Sequence, residues 1–379
     1  MVKYSRISNL ANAFSDGSAF LFGPRQVGKS TLIKTTFPDA VTINLLKSEE
    51  YLSLSSDPSR IRGIIEDGRI TVIDEIQRIP ELLNEVHYLI EERGARFLMT
   101  GSSARKLRRG GVNLLGGRAR TYLLHPLSIR EIGDDFELEK ALNRGLLPAI
   151  WLSDNPESLL ASYAADYLEQ EIMAEAAVRN ISAFRRFLSF SALLSGKQIN
   201  YTKLSSDAQI KPSTLREHME ILIDSLVATR VPPWKKGAHR KTQASEKFYF
   251  FDTGVTRILQ ERKSYPPHSE EYGTAFESLL FHELRCYSDY RSKEKIHYWR
   301  TTTNLEVDFI LGDRLAIEAK ASLAISDSDL RGLRAIQSEA HFEARIIVCR
   351  EPHPRRTADG IWILSIDDFV KRLWDGGQW

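Results

Sequence analysis

The stretch AFLFGPRQVGKST, running from Ala19 to Thr31, decides the fold. Gly23, Gly28, Lys29 and Ser30 satisfy the spacing G-x-x-x-x-G-K-[ST], with an apolar run ahead of it and the helix-compatible TLIKTTF behind it. The glycines let successive backbone N–H groups turn inward as an anion nest, and the helix N-terminus adds partial positive charge. The spacing predicts a phosphate-binding loop through Gly23, Pro24, Gln26, Val27, Gly28 and Thr31. Lys29 would reach the β- and γ-phosphates of a nucleotide, and Ser30 would ligate Mg2+.

Outward from the loop, short apolar runs alternate with helix-length segments: VTINL, then ITVIDE, RFLMTG and TYLLHPL. That alternation predicts buried parallel strands with crossover helices, an α/β core. Asp74 and Glu75 end ITVIDE, at the strand edge where ligands of open α/β sheets gather. Asp74 would hold Mg2+, and Glu75 would orient and deprotonate the attacking water. FLMTGSS brings Thr100, Ser102 and Ser103 to the exit of another strand, as hydroxyls for the γ-phosphate or the water. A Gly-rich stretch with Arg105, Lys106, Arg108, Arg109, Arg118 and Arg120 follows, either a source of transition-state charge or a solvated basic loop.

Composition bounds the rest. A chain of 379 residues exceeds one ordinary core. With 42% hydrophobic and 27% charged residues it is neither disordered nor fibrous. The 52 basic and 50 acidic side chains leave a net charge of +2, so any nucleic-acid site must be local. Cys286 and Cys349 are too few for a disulfide framework and are expected to be buried thiols. No apolar run reaches membrane-spanning length and no signal segment is evident, which predicts a cytoplasmic protein without a membrane partner.

GPRQVGKST, ITVIDEIQ, FLMTGSS and GGRARTYLLHPLSIREI together resemble the AAA-type ATPases of a prokaryotic family with a C-terminal DUF4143 region, over essentially the whole chain. The resemblance implies ATP and Mg2+ as cofactors and a sheet of the additional-strand lineage. It also adds Arg25 in the loop and Arg118 in the GGR segment as characteristic positions. AAA-type sites are often completed by an arginine from a neighbouring subunit, so a homo-oligomer or a protein partner is among the expectations.

In the middle of the chain, YTKLSSDA, QIKPS and TLREHMEILIDSLVATRV read as helix, turn and helix, with a hairpin-like basic piece behind them. That order resembles a winged helix. Lys235, Lys236, His239, Arg240, Lys241 and Lys247 form its basic cluster and would lie along a DNA backbone, or else form a solvated face. SYPPHSEEYG reads as a linker.

Beyond it, Asp308 in LEVDFIL and Glu318 with Lys320 in AIEAKA stand a hairpin's length apart, and Glu318 and Lys320 share a strand face. Two carboxylates can hold Mg2+ or Mn2+ while a lysine positions a water, and Glu277 on the preceding helix would add a third carboxylate. The order helix, strand, strand, strand, helix resembles the PD-(D/E)xK restriction-endonuclease-like fold, with Val307 in place of its usual proline.

The sequence thus predicts an α/β chain of three segments. Residues 1–182 would be a P-loop AAA-type ATPase core with a helical lid, 183–262 a winged-helix-like middle, and 263–379 a restriction-endonuclease-like domain. Its expected activity is Mg2+-dependent ATP hydrolysis coupled to a metal-dependent nuclease acting on or near DNA. Two alternatives stand beside it: a nucleotide-switched signalling or binding protein with a catalytically silent nuclease fold, and a winged-helix DNA-binding regulator.

Overall fold

The computed structural model describes residues 4–8, 10–11, 17–102, 115–171, 180–235, 245–377 and 379. Ser103, Arg105, Lys106, Arg108 and Arg109, and Lys236, His239, Arg240 and Lys241, lie outside the described residues. The chain forms two compact units: Met1–Pro126 with Asp224–Val227, and Leu127–Ile223 with Ala228–Trp379.

The first unit is built on five parallel strands, β1 (Ser18–Phe22), β2 (Val41–Asn44), β3 (Ile70–Asp74), β4 (Arg96–Gly101) and β5 (Ala119–Leu123), in the order β2-β3-β4-β1-β5. Phe20, Phe22, Ile73, Phe97 and Met99 bury into one cluster with Val86 and Leu89 of the helix Leu82–Arg93. The alternate residues Ala19, Leu21, Val72 and Leu98 are fully buried as well. A sheet covered on both faces explains why its strands read as continuous apolar runs. Strand β4 lies between β1 and β3, so the strand edges after Phe22, Asp74 and Gly101 meet at one end of the sheet.

The second unit begins with helices and then inserts a small antiparallel sheet, β6 (Lys197–Gln198), β7 (Ala228–Val231) and β8 (Lys247–Phe250), ordered β6-β8-β7. It ends in a six-stranded mixed sheet of β9 (Ile296–Arg300), β10 (Glu306–Leu311), β11 (Leu315–Ala319), β12 (Ala344–Cys349), β13 (Arg355–Arg356) and β14 (Trp362–Ser365). Its order is β13-β14-β12-β11-β10-β9, antiparallel from β9 to β11 and parallel from β11 through β12 to β14. Phe281 of the helix Glu270–Tyr287 stacks between Tyr249 and Phe309, with ring centroids 4.3 and 6.0 Å away. On another side of the sheet Val307, Ile310, Ala316 and Ile347 bury against Leu333 and Ile336.

The segment expected as a linker is not one. Tyr265 and Tyr272 are buried, the helix starts at Glu270, and the Tyr272 hydroxyl donates to Glu139 at 2.6 Å. Paired prolines stop a helix without preventing the tyrosines beside them from packing. Cys286 and Cys349 are buried thiols, neither of them in a disulfide. Among the described residues no helix is long and apolar enough to cross a membrane.

Glu283 holds the ends of this unit together. Its carboxylate accepts from Trp374 Nε1 at 2.6 Å and from the Ile129 amide at 2.7 Å. Burial pushes its pKa up to about 7, against those two donors. The native state therefore binds this proton more tightly than the unfolded chain does between about pH 4.5 and 7. Its stabilising share is complete below that window and is lost as pH rises through it, by about 3 kcal/mol. Glu283→Gln should lower stability by roughly 1–3 kcal/mol at acidic pH and flatten the decline toward pH 7.5. Denaturant unfolding at a series of pH values checks this, and equal slopes in the two proteins would refute it.

Candidate functional site

Two constellations bring polar side chains together, one in each unit. In the first, β1 runs into the loop Gly23–Gly28 and the helix Lys29–Thr36. Gln26 (φ 60°) and Gly28 (φ 94°) take left-handed conformations that turn the backbone of the loop. Gly23 is obligatory for a different reason: a Cβ there would stand 2.2 Å from the Leu124 carbonyl oxygen. Lys29 is buried, and its ammonium donates to the Gly23 and Pro24 carbonyls at 2.7 and 3.0 Å. Ser30 and Thr31 lie exposed at the start of the helix. Arg6 braces the loop from outside, donating to the Val27 carbonyl at 2.8 Å and the His125 carbonyl at 2.6 Å.

Across the same sheet edge, the Thr100 hydroxyl donates to Asp74 Oδ1 and accepts the Glu75 amide at 3.3 Å. Glu75 is held in a left-handed turn (φ 62°), and its carboxylate accepts from Gln77 Nε2. Gln77 Nε2 also donates to the Ser102 hydroxyl at 3.3 Å. Gly101 gives Gln77 its room, because a Cβ there would lie 2.4 Å from Gln77 Oε1. Thr100 is fully buried, so it positions the acidic pair and does not offer a hydroxyl to a ligand. Sequence reasoning missed Gln77 and Arg6. The signal for Gln77 lay in IDEIQ, two residues past the glutamate.

This edge fits a nucleotide and Mg2+. It has a turned glycine loop, a buried lysine and exposed hydroxyls at the helix start, and a carboxylate at the end of β3, which β4 separates from β1. Arg25 sits half-buried in the loop. Arg118 is not part of the edge. It precedes β5, whose Ala119 pairs in parallel with Ser18, and so it lies at the opposite end of the sheet from Gly23. There it pairs with Glu91 of the Leu82–Arg93 helix. Spacing along the chain does not reveal which end of a strand a residue occupies.

In the second unit β10 and β11 pair with Phe309 opposite Ile317, which sets Asp308 beside Glu318 one step along. The β9–β10 register shifts between Val307 and Ile310, a bulge that includes Asp308 and re-aims its side chain. Asp308 Oδ2 accepts the Ala319 amide at 3.0 Å, and Lys320 pairs with Glu318 Oε1 at 2.8 Å. The remaining member is a surprise. Lys247, expected in an exposed basic wing, lies on β8 with its side chain only 4% exposed. Its ammonium meets Glu306 Oε1 at 2.6 Å, Glu277 Oε1 at 3.0 Å and Asp308 Oδ1 at 3.0 Å. The Tyr249 hydroxyl donates to the same Glu277 oxygen at 2.5 Å.

Burial and the charge of Asp308 raise the Glu277 pKa to about 7 and that of Glu318 to about 8. Burial also opposes the charge of Asp308, but Lys247 and Lys320 outweigh it and hold that carboxyl below its usual range. Burial disfavours the charged form of Lys247 too, and the surrounding carboxylates hold its proton far above the usual value. At neutral pH Lys247 is an ammonium and Asp308 a carboxylate.

A divalent metal does not fit this arrangement. The oxygens it would need on Glu277 and Asp308 are bonded to Lys247, and Glu318 Oε1 is bonded to Lys320. No group of three metal-ligating side chains spaced for an ion occurs among the described residues. The basic neighbours of Lys247 in sequence suggested a wing. Its place at the head of the apolar strand KFYF, on the same face as Tyr249, was the contrary signal. Glu306, two residues before Asp308 and on the same strand face, was missed altogether.

Family models match three successive regions of the chain. An AAA domain model matches residues 15–133, and two domains of unknown function match residues 135–265 (DUF8612) and 272–369 (DUF4143). Uncharacterized proteins of Mycobacterium tuberculosis (Rv2008c) and Mycobacterium bovis (Mb2031c) are 27% identical over 362 residues, which covers 92% of this chain and 80% of each relative. Solved structures with similarity include the Orc1 protein of Aeropyrum pernix in complex with DNA, 13% identical, with a TM-score of 0.27 over 66% of this chain and 90% of that one. Another is the RuvB Holliday junction branch migration motor of Thermotoga maritima, 15% identical, with a TM-score of 0.27 over 57% of this chain and 82% of that one.

The loop geometry carries a direct test. Gly23→Ala forces a methyl group onto the Leu124 carbonyl and should cost roughly 1–3 kcal/mol. Gly63→Ala, where a Cβ meets nothing within 4 Å, should stay within about 0.5 kcal/mol of the parent. Thermal unfolding of the two variants side by side measures the difference, and equal midpoints would contradict the close approach.

Proposed function

For a chain that joins an AAA domain to a DUF4143 region, we propose an Mg2+-dependent ATPase that works as a nucleotide-driven switch on or near DNA. The observation that carries this reading is the sheet edge where the turned glycine loop, Lys29 and Ser30 face the braced pair Asp74 and Glu75. When bound, ATP supplies the scissile phosphoanhydride and Mg2+ neutralises its charge, with Ser30 and Asp74 as the residues to hold the ion. Lys29 would turn its ammonium from the Gly23 and Pro24 carbonyls to phosphate oxygens. Glu75 accepts the proton of the attacking water, while Gln77 fixes the carboxylate that receives it. Thr100 keeps Asp74 and the Glu75 backbone in register.

The order helix Ile181–Ala192, β6, helix Tyr201–Ala208, helix Pro212–Asp224, β7 and β8 supports a winged-helix module over the middle segment. Lys235 opens its basic run, and contact with a phosphate backbone would be independent of sequence and steeply salt dependent. We keep the three segments 1–182, 183–262 and 263–379 as the functional modules of this reading. For the C-terminal one, the carboxylates paired with Lys247 of the middle segment favour a nuclease-like fold that binds or transmits rather than cleaves.

Lys29→Ala should abolish ATP binding. Glu75→Gln should leave binding intact and lower kcat by about two orders of magnitude or more. Wild type and both variants, assayed for nucleotide binding and for phosphate release with Mg2+, decide the matter; activity unchanged in both would end the ATPase reading. Plasmid and single-stranded DNA incubated with Mg2+ or Mn2+ should show the same background with wild type and with Asp308→Ala. A loss of cleavage in Asp308→Ala would restore the nuclease.

A further inference from the structure

Val27 and Gly28 close the phosphate loop, and the peptide between them is held by a residue far back in the chain. Arg6 Nη1 donates to the Val27 carbonyl at 2.8 Å, while Nη2 donates to the His125 carbonyl at 2.6 Å and reaches the Pro126 carbonyl at 3.5 Å. A trans peptide points its C=O and its N–H in opposite directions, so a carbonyl drawn outward to Arg6 sends the Gly28 N–H toward the inside of the loop. Glycine makes that hold necessary. Gly28 turns at φ 94°, a region that glycine enters and leaves at little steric cost, and a peptide free to swing would set a carbonyl oxygen where a phosphate oxygen belongs. The contact is close: Nη1 lies 3.8 Å from where a Cβ on Gly28 would stand. Both ends of the brace are anchored. Leu10, four residues past Arg6, is 1% exposed, and in the stretch after β5 the Leu124 amide donates to the Phe22 carbonyl at 2.8 Å. That stretch meets the start of the loop where Leu124 O crowds Gly23, and Arg6 ties it to the end of the loop at Val27.

We propose that Arg6 is a positioning residue of the phosphate site, holding the Val27–Gly28 peptide with its N–H toward the bound phosphates and fastening it to the stretch after β5. The inference rests on the ATPase reading and deepens it. A loop already set for the anion does not have to order itself on binding, and the saving appears as affinity. Arg6 acts from outside the loop and through backbone carbonyls, so its effect is the same in the ground state and in the transition state. Affinity should therefore change while turnover of bound ATP does not. Charge alone is not enough for this task. Two carbonyls of separate segments need the planar fork of a guanidinium, which the point charge of a lysine does not reproduce.

The test is ATP binding and steady-state hydrolysis with Mg2+ by the full chain, measured well below the unfolding midpoint of each variant. Under that condition a merely structural role leaves the dissociation constant of the folded protein unmoved. Arg6→Ala should bind ATP about ten- to a hundredfold more weakly and raise KM in step, with kcat within about threefold of wild type. Arg6→Lys keeps the charge and one of the bonds, and should recover only part of the loss; should Arg6→Ala fail to fold, Arg6→Lys carries the same comparison. Arg69→Ala removes another guanidinium of the same unit, one that donates to the Asp39 carbonyl at 2.7 Å, and should bind ATP as wild type does. A folded Arg6→Ala or Arg6→Lys with the ATP affinity of wild type would overturn the proposal. So would a kcat that falls while KM stays unchanged. A wild type that binds no ATP ends the ATPase reading and this inference with it, whereas unaltered affinity in the Arg6 variants ends this inference alone.

Discussion

The buried ammonium of Lys247 is the constraint on which the second unit depends. It is the point where the small sheet, the long helix and the mixed sheet meet, since its partners Glu277, Glu306 and Asp308 lie on two of these elements and the lysine on the third. Pairs of this kind add little net stability, because desolvation offsets most of the attraction. Their strength lies in specificity. Removing one partner leaves a buried charge and costs about 3–5 kcal/mol, so no register of β8 against its neighbours other than the observed one satisfies the cluster. The bulge in β10 belongs to the same constraint, as it turns Asp308 toward both the lysine and the Ala319 amide.

How much of this was legible in the sequence follows from how local each signal is. The phosphate loop was legible because its chemistry resides in consecutive residues: two glycines, a lysine and a hydroxyl fix their own geometry. The parallel core was legible because strands buried on both faces must be apolar throughout. Arg118 was misplaced because direction along a strand matters: a residue before β5 and a residue after β1 lie at opposite ends of a parallel sheet. Lys247 was misplaced because the charges beside it in sequence say nothing about which side chain turns inward. One lysine at the head of an aromatic strand behaves differently from the basic run before it.

The same distinction governs Thr100 and Gln77. A hydroxyl at a strand exit reads as ligand-facing, yet Thr100 is spent on Asp74 and the Glu75 amide, while a glutamine two residues past the glutamate carries its orientation. Sequence patterns mark the groups that would touch a ligand. The groups that aim them are chosen by packing, and they appear only when strands from distant parts of the chain come together.

Lys29 and Lys247 are both buried lysines, and they differ in what can replace their partners. The partners of Lys29 in the loop are neutral carbonyls, at 2.7 and 3.0 Å. Such bonds are worth about 1.5–3 kcal/mol each when the donor is charged, and a phosphate that offers negative charge together with the same hydrogen bonds exceeds them. Those two bonds are ones that a phosphate can replace. Lys247 is bound by formal charges in a dry site, and no neutral or anionic ligand can compete for it. The near-zero net charge of the whole chain hides this contrast: one unit holds a cation ready to meet an anion, and the other holds anions whose cation has already been supplied.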